Sequence, residues 1–125
     1  MNISMTDKST IQQVLGGLIP RPQLLSEVDK FHLDITDFST RFEKSIFLGI
    51  KALYEGGATS INPIDIENWL ETNDTAKAVF ENNNGIEYLQ DIIDFSEPDN
   101  FQYYYNKLKK LNLLRDLKKQ GIDTS

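Results

Sequence analysis

Thr40-Arg41-Phe42-Glu43-Lys44-Ser45-Ile46-Phe47-Leu48-Gly49-Ile50-Lys51-Ala52-Leu53-Tyr54-Glu55-Gly56-Gly57 decides the fold class. Phe42, Ile46, Phe47, Ile50, Leu53 and Tyr54 recur at helical spacing. Gly56-Gly57 stops the run, because glycine takes the left-handed conformation past a helix end at little cost. Just downstream, Asn62 is a cap, Pro63 stands at the first helical position and Asp65 at the third. Ile61 and Ile66 are spaced to staple that start, and Ile66, Trp69 and Leu70 give the short helix its buried face.

The same period extends both ways, and no segment alternates with period two. Upstream, Ile11, Val14, Leu15, Leu18 and Ile19 form one helical face behind a cap at Ser9 or Thr10. Pro20 ends that helix, and Pro22 opens a second over about 22–30 with Leu24, Leu25 and Val28 on one side. Residues 32–39 connect, with Leu33, Ile35 and Phe38 turned inward. Downstream, Asn73-Asp74-Thr75 ends one helix and starts a brief one with Ala76, Val79 and Phe80 inward. Asn82-Asn83-Asn84-Gly85 is a turn, since Asn and Gly tolerate positive φ. Ile86, Leu89, Ile92 and Ile93 mark a sixth helix. A last, longer helix runs from about Asn100 to Gln120 and carries Phe101, Tyr104, Leu108, Leu111, Leu114 and Leu117.

The expected fold is therefore all-α, a compact orthogonal bundle of about six short helices followed by a longer C-terminal helix. Residues 1–8 are expected to be a flexible N-terminus, 9–98 a globular helical subdomain, and 99–125 the long helix with the start of a turn. Gly16-Gly17, costly in mid-helix, predicts close approach of another backbone. Tyr103, Tyr105, Leu113 and Leu114 widen the last helix's apolar surface beyond one stripe. The stretch from Leu111 onward is read as awaiting a partner.

Composition narrows the function. In 125 residues, 39% are hydrophobic and 26% charged, which is globular usage and excludes a disordered or fibrous chain. A chain of this length buries roughly two-thirds of its unfolded surface, enough for a core without staples. With no cysteine there is no disulfide or thiolate metal site. No apolar run is long enough to span a bilayer, and the N-terminus lacks a signal peptide's pattern, so a cytoplasmic location is expected.

The net charge of −6 disfavours phosphate-backbone binding. It is uneven: residues 1–106 carry −10 and residues 107–125 carry +4. Basic residues near a helix C-terminus oppose its macrodipole, which explains that end without a ligand. Tyr103, Tyr104 and Tyr105 beside Lys107, Lys109 and Lys110 suggest stacking on single-stranded nucleic acid. Three consecutive helical positions point three ways, however, and cannot form one platform.

Candidate chemistry is sparse. Neither glycine pair continues into a phosphate-binding G-x-x-x-x-G-K-[ST] loop. His32 is the one histidine, with Asp29 and Asp34 near in sequence and no second imidazole, and is read as a loop residue. The pairs Asp91/Asp94 and Glu67/Glu71 are read as solvated helix faces. No catalytic, cofactor or metal residues are assigned.

The order of certain strings resembles the N-terminal domain of DnaB-type replicative DNA helicases. The carriers are Val14-Leu15-Gly16-Gly17-Leu18-Ile19, Leu25-Ser26-Glu27-Val28, the segment Leu33 to Phe38, Ser45-Ile46-Phe47-Leu48-Gly49-Ile50, Ile61 through Leu70, Gly85-Ile86-Glu87-Tyr88-Leu89, Tyr104-Tyr105 and Leu113-Leu114-Arg115. Together they span roughly residues 10–117.

The resemblance implies a globular helical subdomain followed by a helical hairpin. Such domains pair through their hairpins into a dimer-built collar of the hexamer, and they dock the primase C-terminal domain and, in some systems, a loader. ATP and Mg would belong to a separate RecA-like domain, which this chain does not contain; it ends where the hairpin's second helix would begin. The resemblance therefore implies a non-catalytic domain of a longer helicase, assembling more weakly than its parent. Leu111, Leu114 and Leu117 are the self-association candidates. The alternative is a stand-alone helical adaptor of phage or plasmid type that captures a helicase or primase. No direct nucleic-acid site and no membrane contact are expected.

Overall fold

The computed structural model describes residues 8–27 and 31–119. Six α-helices follow in order: α1 Lys8–Leu18, α2 Arg41–Glu55, α3 Pro63–Leu70, α4 Asp74–Asn82, α5 Gly85–Phe95 and α6 Phe101–Lys119. Short 3-10 turns lie at Pro22–Ser26, Ile35–Asp37 and Pro98–Asn100. Among the described residues there is no strand, and the fold is all-α as expected.

α1 is the central element, packed against both α5 and α6 and touching α2, while α3 packs against α2, α4 and α5. Its Ile11, Val14, Leu15 and Leu18 are fully buried, and so is Ile19 just beyond its end. The expected close approach is found at Gly16. A Cβ there would overlap the backbone carbonyl of Ile92 in α5. At Gly17 the neighbour is instead a side chain, with the Phe101 ring 2.8 Å from where a Cβ would stand.

α2 starts with a reciprocal capping box. Thr40 Oγ1 accepts from the Glu43 N–H at 3.1 Å, and Glu43 Oε1 accepts from the Thr40 N–H at 3.2 Å. Its end is a Schellman motif: Gly57 takes φ +106°, its N–H donates to Tyr54, and the Ala58 N–H donates to Leu53. At α3, Asp65 Oδ2 accepts from the Asn62 N–H at 2.9 Å, and Ile61 and Ile66 are both buried. Asn73 caps α4 through Ala76, and Asn84 adopts φ +51° before α5.

Three sequence expectations need correction. The helix expected over 22–30 is a 3-10 turn closed by Arg21–Leu24 and Leu24–Glu27 bonds, with Leu24 and Leu25 half-buried. Two adjacent leucines offer too little packing to offset the cost of nucleating an α-helix. That leaves six α-helices where seven were expected; Val28, Asp29 and Lys30 lie outside the described residues.

Ser9 and Thr10 do not cap α1 but lie in its first turn, which already includes Lys8, so the expected flexible segment 1–8 overlaps the helix. Residues 1–7 are outside the described set. Trp69 is 36% exposed rather than buried. Its ring covers Gly49 of α2, where an added Cβ would sit 3.2 Å from ring atom Cε3, leaving the rest of the indole facing water. The long helix starts at Phe101, within one residue of the expected start, and the expected stop at Gln120-Gly121 lies outside the described residues.

Candidate functional site: the last helix and its anchorage

α6 has 19 residues and is about 28 Å long at 1.5 Å per residue. Its two halves are held by different chemistry. In the first half Phe101, Tyr105 and Leu108 are buried. The Phe31 ring meets Phe101 and Tyr105 edge-on, at centroid distances of 4.9 and 5.1 Å. Tyr105 Oη accepts a 2.7 Å bond from the His32 N–H. His32 thus contributes backbone to this joint while its own residue is exposed.

Beyond Leu108 the apolar contact thins. Leu111, Leu114 and Leu117 are half-buried, and Leu113 is 59% exposed. The buried residue here is polar: Asn112 is only 7% exposed. Its Nδ2 donates to Asp37 Oδ1 at 2.8 Å and to the Asp37 carbonyl at 3.2 Å. Lys109 Nζ lies 2.7 Å from Asp37 Oδ2, and Arg115 Nη2 donates to the Thr36 carbonyl at 3.0 Å.

All three grips fall on the short turn Ile35–Asp37. That turn is itself closed by Asp37 Oδ2, which accepts from the Asp34 N–H at 2.9 Å. The Thr36 backbone N–H, bonded to Asp34 Oδ1, holds the Asp34 carboxyl below its ordinary range. Two of the six cations in residues 107–125 are therefore committed to this turn.

Neither Asn112 nor Asp37 is among the residues that sequence reasoning singles out. A signal exists all the same: Asn112 continues the buried register of Phe101, Tyr105 and Leu108, and a polar residue on a core stripe requires a partner. Gln13 escapes in the same way. Buried in α1, it donates from Nε2 to the Phe95 carbonyl at 3.3 Å and accepts from the Glu97 N–H at 2.8 Å. It pins the corner between α5 and the 3-10 turn that leads into α6.

Other candidate groups are dispersed. Tyr103 is exposed, Tyr104 half-buried and Tyr105 buried; the first two rings meet edge-on at a centroid distance of 5.0 Å, while Tyr105 turns inward to Phe31, so the three form no single platform. Asp91, Asp94 and Glu71 are exposed and Glu67 half-buried. Among the described residues no three His, Cys, Asp or Glu side chains are grouped to hold a metal ion. No helix there is long and apolar enough to cross a membrane.

A cleft of about 410 Å³ lies between α1, the start of α2 and α5, with Gln12, Phe42, Glu43 and Tyr88 in its wall. Burial pushes the Tyr88 phenol up to about 12; the Glu43 charge adds to this and a hydrogen bond with Gln12 opposes it. The folded state therefore favours neutral Tyr88 where an unfolded chain ionises near 10. This contribution to stability is complete below pH 10 and declines as pH rises toward 12. Alkaline denaturation followed by circular dichroism should show this loss in the native chain, and Tyr88→Phe should flatten it.

The architecture defines a small helical domain whose long terminal helix is anchored by a core at one end and by a polar clasp at the other. The chain belongs to the DnaB-like helicase N terminal domain family, whose model matches residues 8–110. That domain is non-catalytic and is generally involved in helicase oligomerisation and interactions.

The chain is also similar to the SPbeta prophage-derived uncharacterized protein YorI of Bacillus subtilis (strain 168), with 34% identity over 119 residues. The alignment covers 95% of this chain and 24% of YorI, so the chain spans about a quarter of that relative's length. No solved structure matches it.

Proposed function

We propose that this domain serves the assembly of a hexameric replicative helicase, pairing through its last helix and offering a docking surface to primase or a loader. ATP hydrolysis and DNA unwinding are assigned to a separate RecA-like domain of the parent protein. The observation that supports this reading most directly is the family match over residues 8–110. The distal half of α6 adds to it, with Leu113 exposed and Leu111, Leu114 and Leu117 half-buried. A helix that leaves four leucines partly in water gains by covering them, at roughly 25 cal/mol per Å² of apolar surface less the cost of ordering.

Light scattering across a concentration series tests the assignment. The native chain should show mass rising with concentration, and Leu114→Asp should weaken self-association roughly 30-fold, the effect of losing about 2 kcal/mol at one interface anchor. A native chain that stays monomeric throughout would sink the pairing reading, and an unchanged mass in Leu114→Asp would remove that residue from it. The prophage origin of YorI supports a second reading, an adaptor of phage type. That reading expects a monodisperse chain that binds an intact helicase or primase.

A further inference from the structure

We propose that Asp37 is a positioning residue: its buried carboxylate latches the distal half of α6 to the turn Ile35–Asp37 and so sets the direction in which that half leaves the body. The inference deepens the assembly reading and rests on it for its biological consequence. The latch itself rests on geometry alone.

One carboxylate performs two tasks. Oδ2 closes the turn through the Asp34 N–H and meets Lys109 Nζ, while Oδ1 accepts from Asn112. Lys109, Asn112 and Arg115 recur every three residues, so they form one stripe along α6 facing the turn. Lys109 is steadied from its other side by the Tyr105 ring, 5.9 Å from Nζ to centroid. Tyr105 belongs to the apolar joint, so the clasp begins where the core ends.

The kind of contact matters. Apolar packing is non-directional, and a helix held by it can slide or roll. A buried carboxylate with three donors fixed around it accepts one geometry, because a misplaced donor leaves charge unpaired in a poorly solvated site. The latch is also releasable. Arg115 Nε is buried with no hydrogen-bond partner, so opening returns an unsatisfied donor to water and offsets part of the bonds lost. With Leu113 and its half-buried neighbours on the same half-helix, closing or opening the latch changes where the pairing leucines are presented.

Hydrogen exchange on the full chain, at a concentration where light scattering shows a monomer, reads the latch without self-association. Asp37→Ala is the first variant, since removing Lys109 instead would strand a buried carboxylate. Amides 109–119 should exchange roughly tenfold faster, with α1, α2 and α5 unchanged.

Asn112→Ala removes the buried one of α6's three grips while leaving the turn's own Asp34–Asp37 bond, so it carries the test if Asp37→Ala fails to fold. It should accelerate the same amides. Unchanged exchange over 109–119 would overturn the latch, as would acceleration spread evenly over every helix. Local acceleration together with weaker self-association at high concentration supports the whole proposal. Local acceleration with unchanged self-association supports the latch and overturns its consequence for pairing, whereas a native chain that stays monomeric overturns the assembly reading and leaves the latch standing.

Discussion

Gly16→Ala is expected to destabilise the domain by about 3 kcal/mol, the upper end of what overpacking a filled site costs. The reason is the nature of the neighbour. The added methyl would overlap the carbonyl oxygen of Ile92, and the Ile92 carbonyl carbon would be 2.8 Å away. Backbone cannot rotate aside as a side chain can. That carbonyl also accepts the Ser96 N–H at 2.9 Å, the bond that closes the end of α5. α5 must therefore move off α1 as a unit, loosening the core to which Leu15, Leu89 and Ile92 belong, all buried. In a chain of this length a loss of 3 kcal/mol lowers the melting temperature by roughly 10 °C. Truncating Ile92 to Val should restore nothing, since the obstructing atoms are common to every residue. A Gly16→Ala protein that melts with the native one would show that α1 and α5 do not approach as described.

That approach is legible in the amino-acid sequence, because two glycines inside an otherwise apolar helix have few explanations. The helix ends are legible for a similar reason. Gly57 and Asn84 occupy the positive-φ positions that Gly-Gly and Asn-Asn-Asn-Gly announce, and Pro63 opens α3 where a missing N–H does no harm.

Trp69 defeats the same reasoning because hydrophobic periodicity gives direction and not depth. The residue does face α2, with ring atoms Cε3 and Cζ3 over Gly49, yet it remains 36% exposed. The clasp on α6 is hidden for a different reason. Asp37 and Asn112 are 75 residues apart, and no local rule pairs a turn carboxylate with one amide in a distant helix. What can be read locally is the anomaly of Asn112 in a core register. The candidate site is therefore half visible: its leucines follow the helical period, while the residues that orient them depend on tertiary contact.

Phe80→Ala should cost about 3–5 kcal/mol, the usual range for deleting a buried aromatic ring, and should be the most damaging single truncation in α4. Phe80 is fully buried although α4 otherwise lies at the surface, with Ala76 and Val79 only half-covered. Its ring occupies the space that a side chain at residue 85 would need. A Cβ on Gly85 would overlap three atoms of that ring, so Gly85→Ala alone should also destabilise, by about 1–3 kcal/mol.

The two sites are therefore coupled, and the sign of the coupling separates this arrangement from the one at Gly16. Combining Gly85→Ala with Phe80→Leu shortens the obstructing group just as the methyl is added, so the double variant should lose less stability than the two single losses combined. Chemical denaturation of the four proteins in the cycle measures it, and a favourable coupling of about 1 kcal/mol is expected for residues in direct contact. Strict additivity would mean that the ring and the glycine do not share the space. The contrast is physical: at Gly85 the obstruction is a side chain that a second substitution can withdraw, and at Gly16 it is the backbone that carries α5.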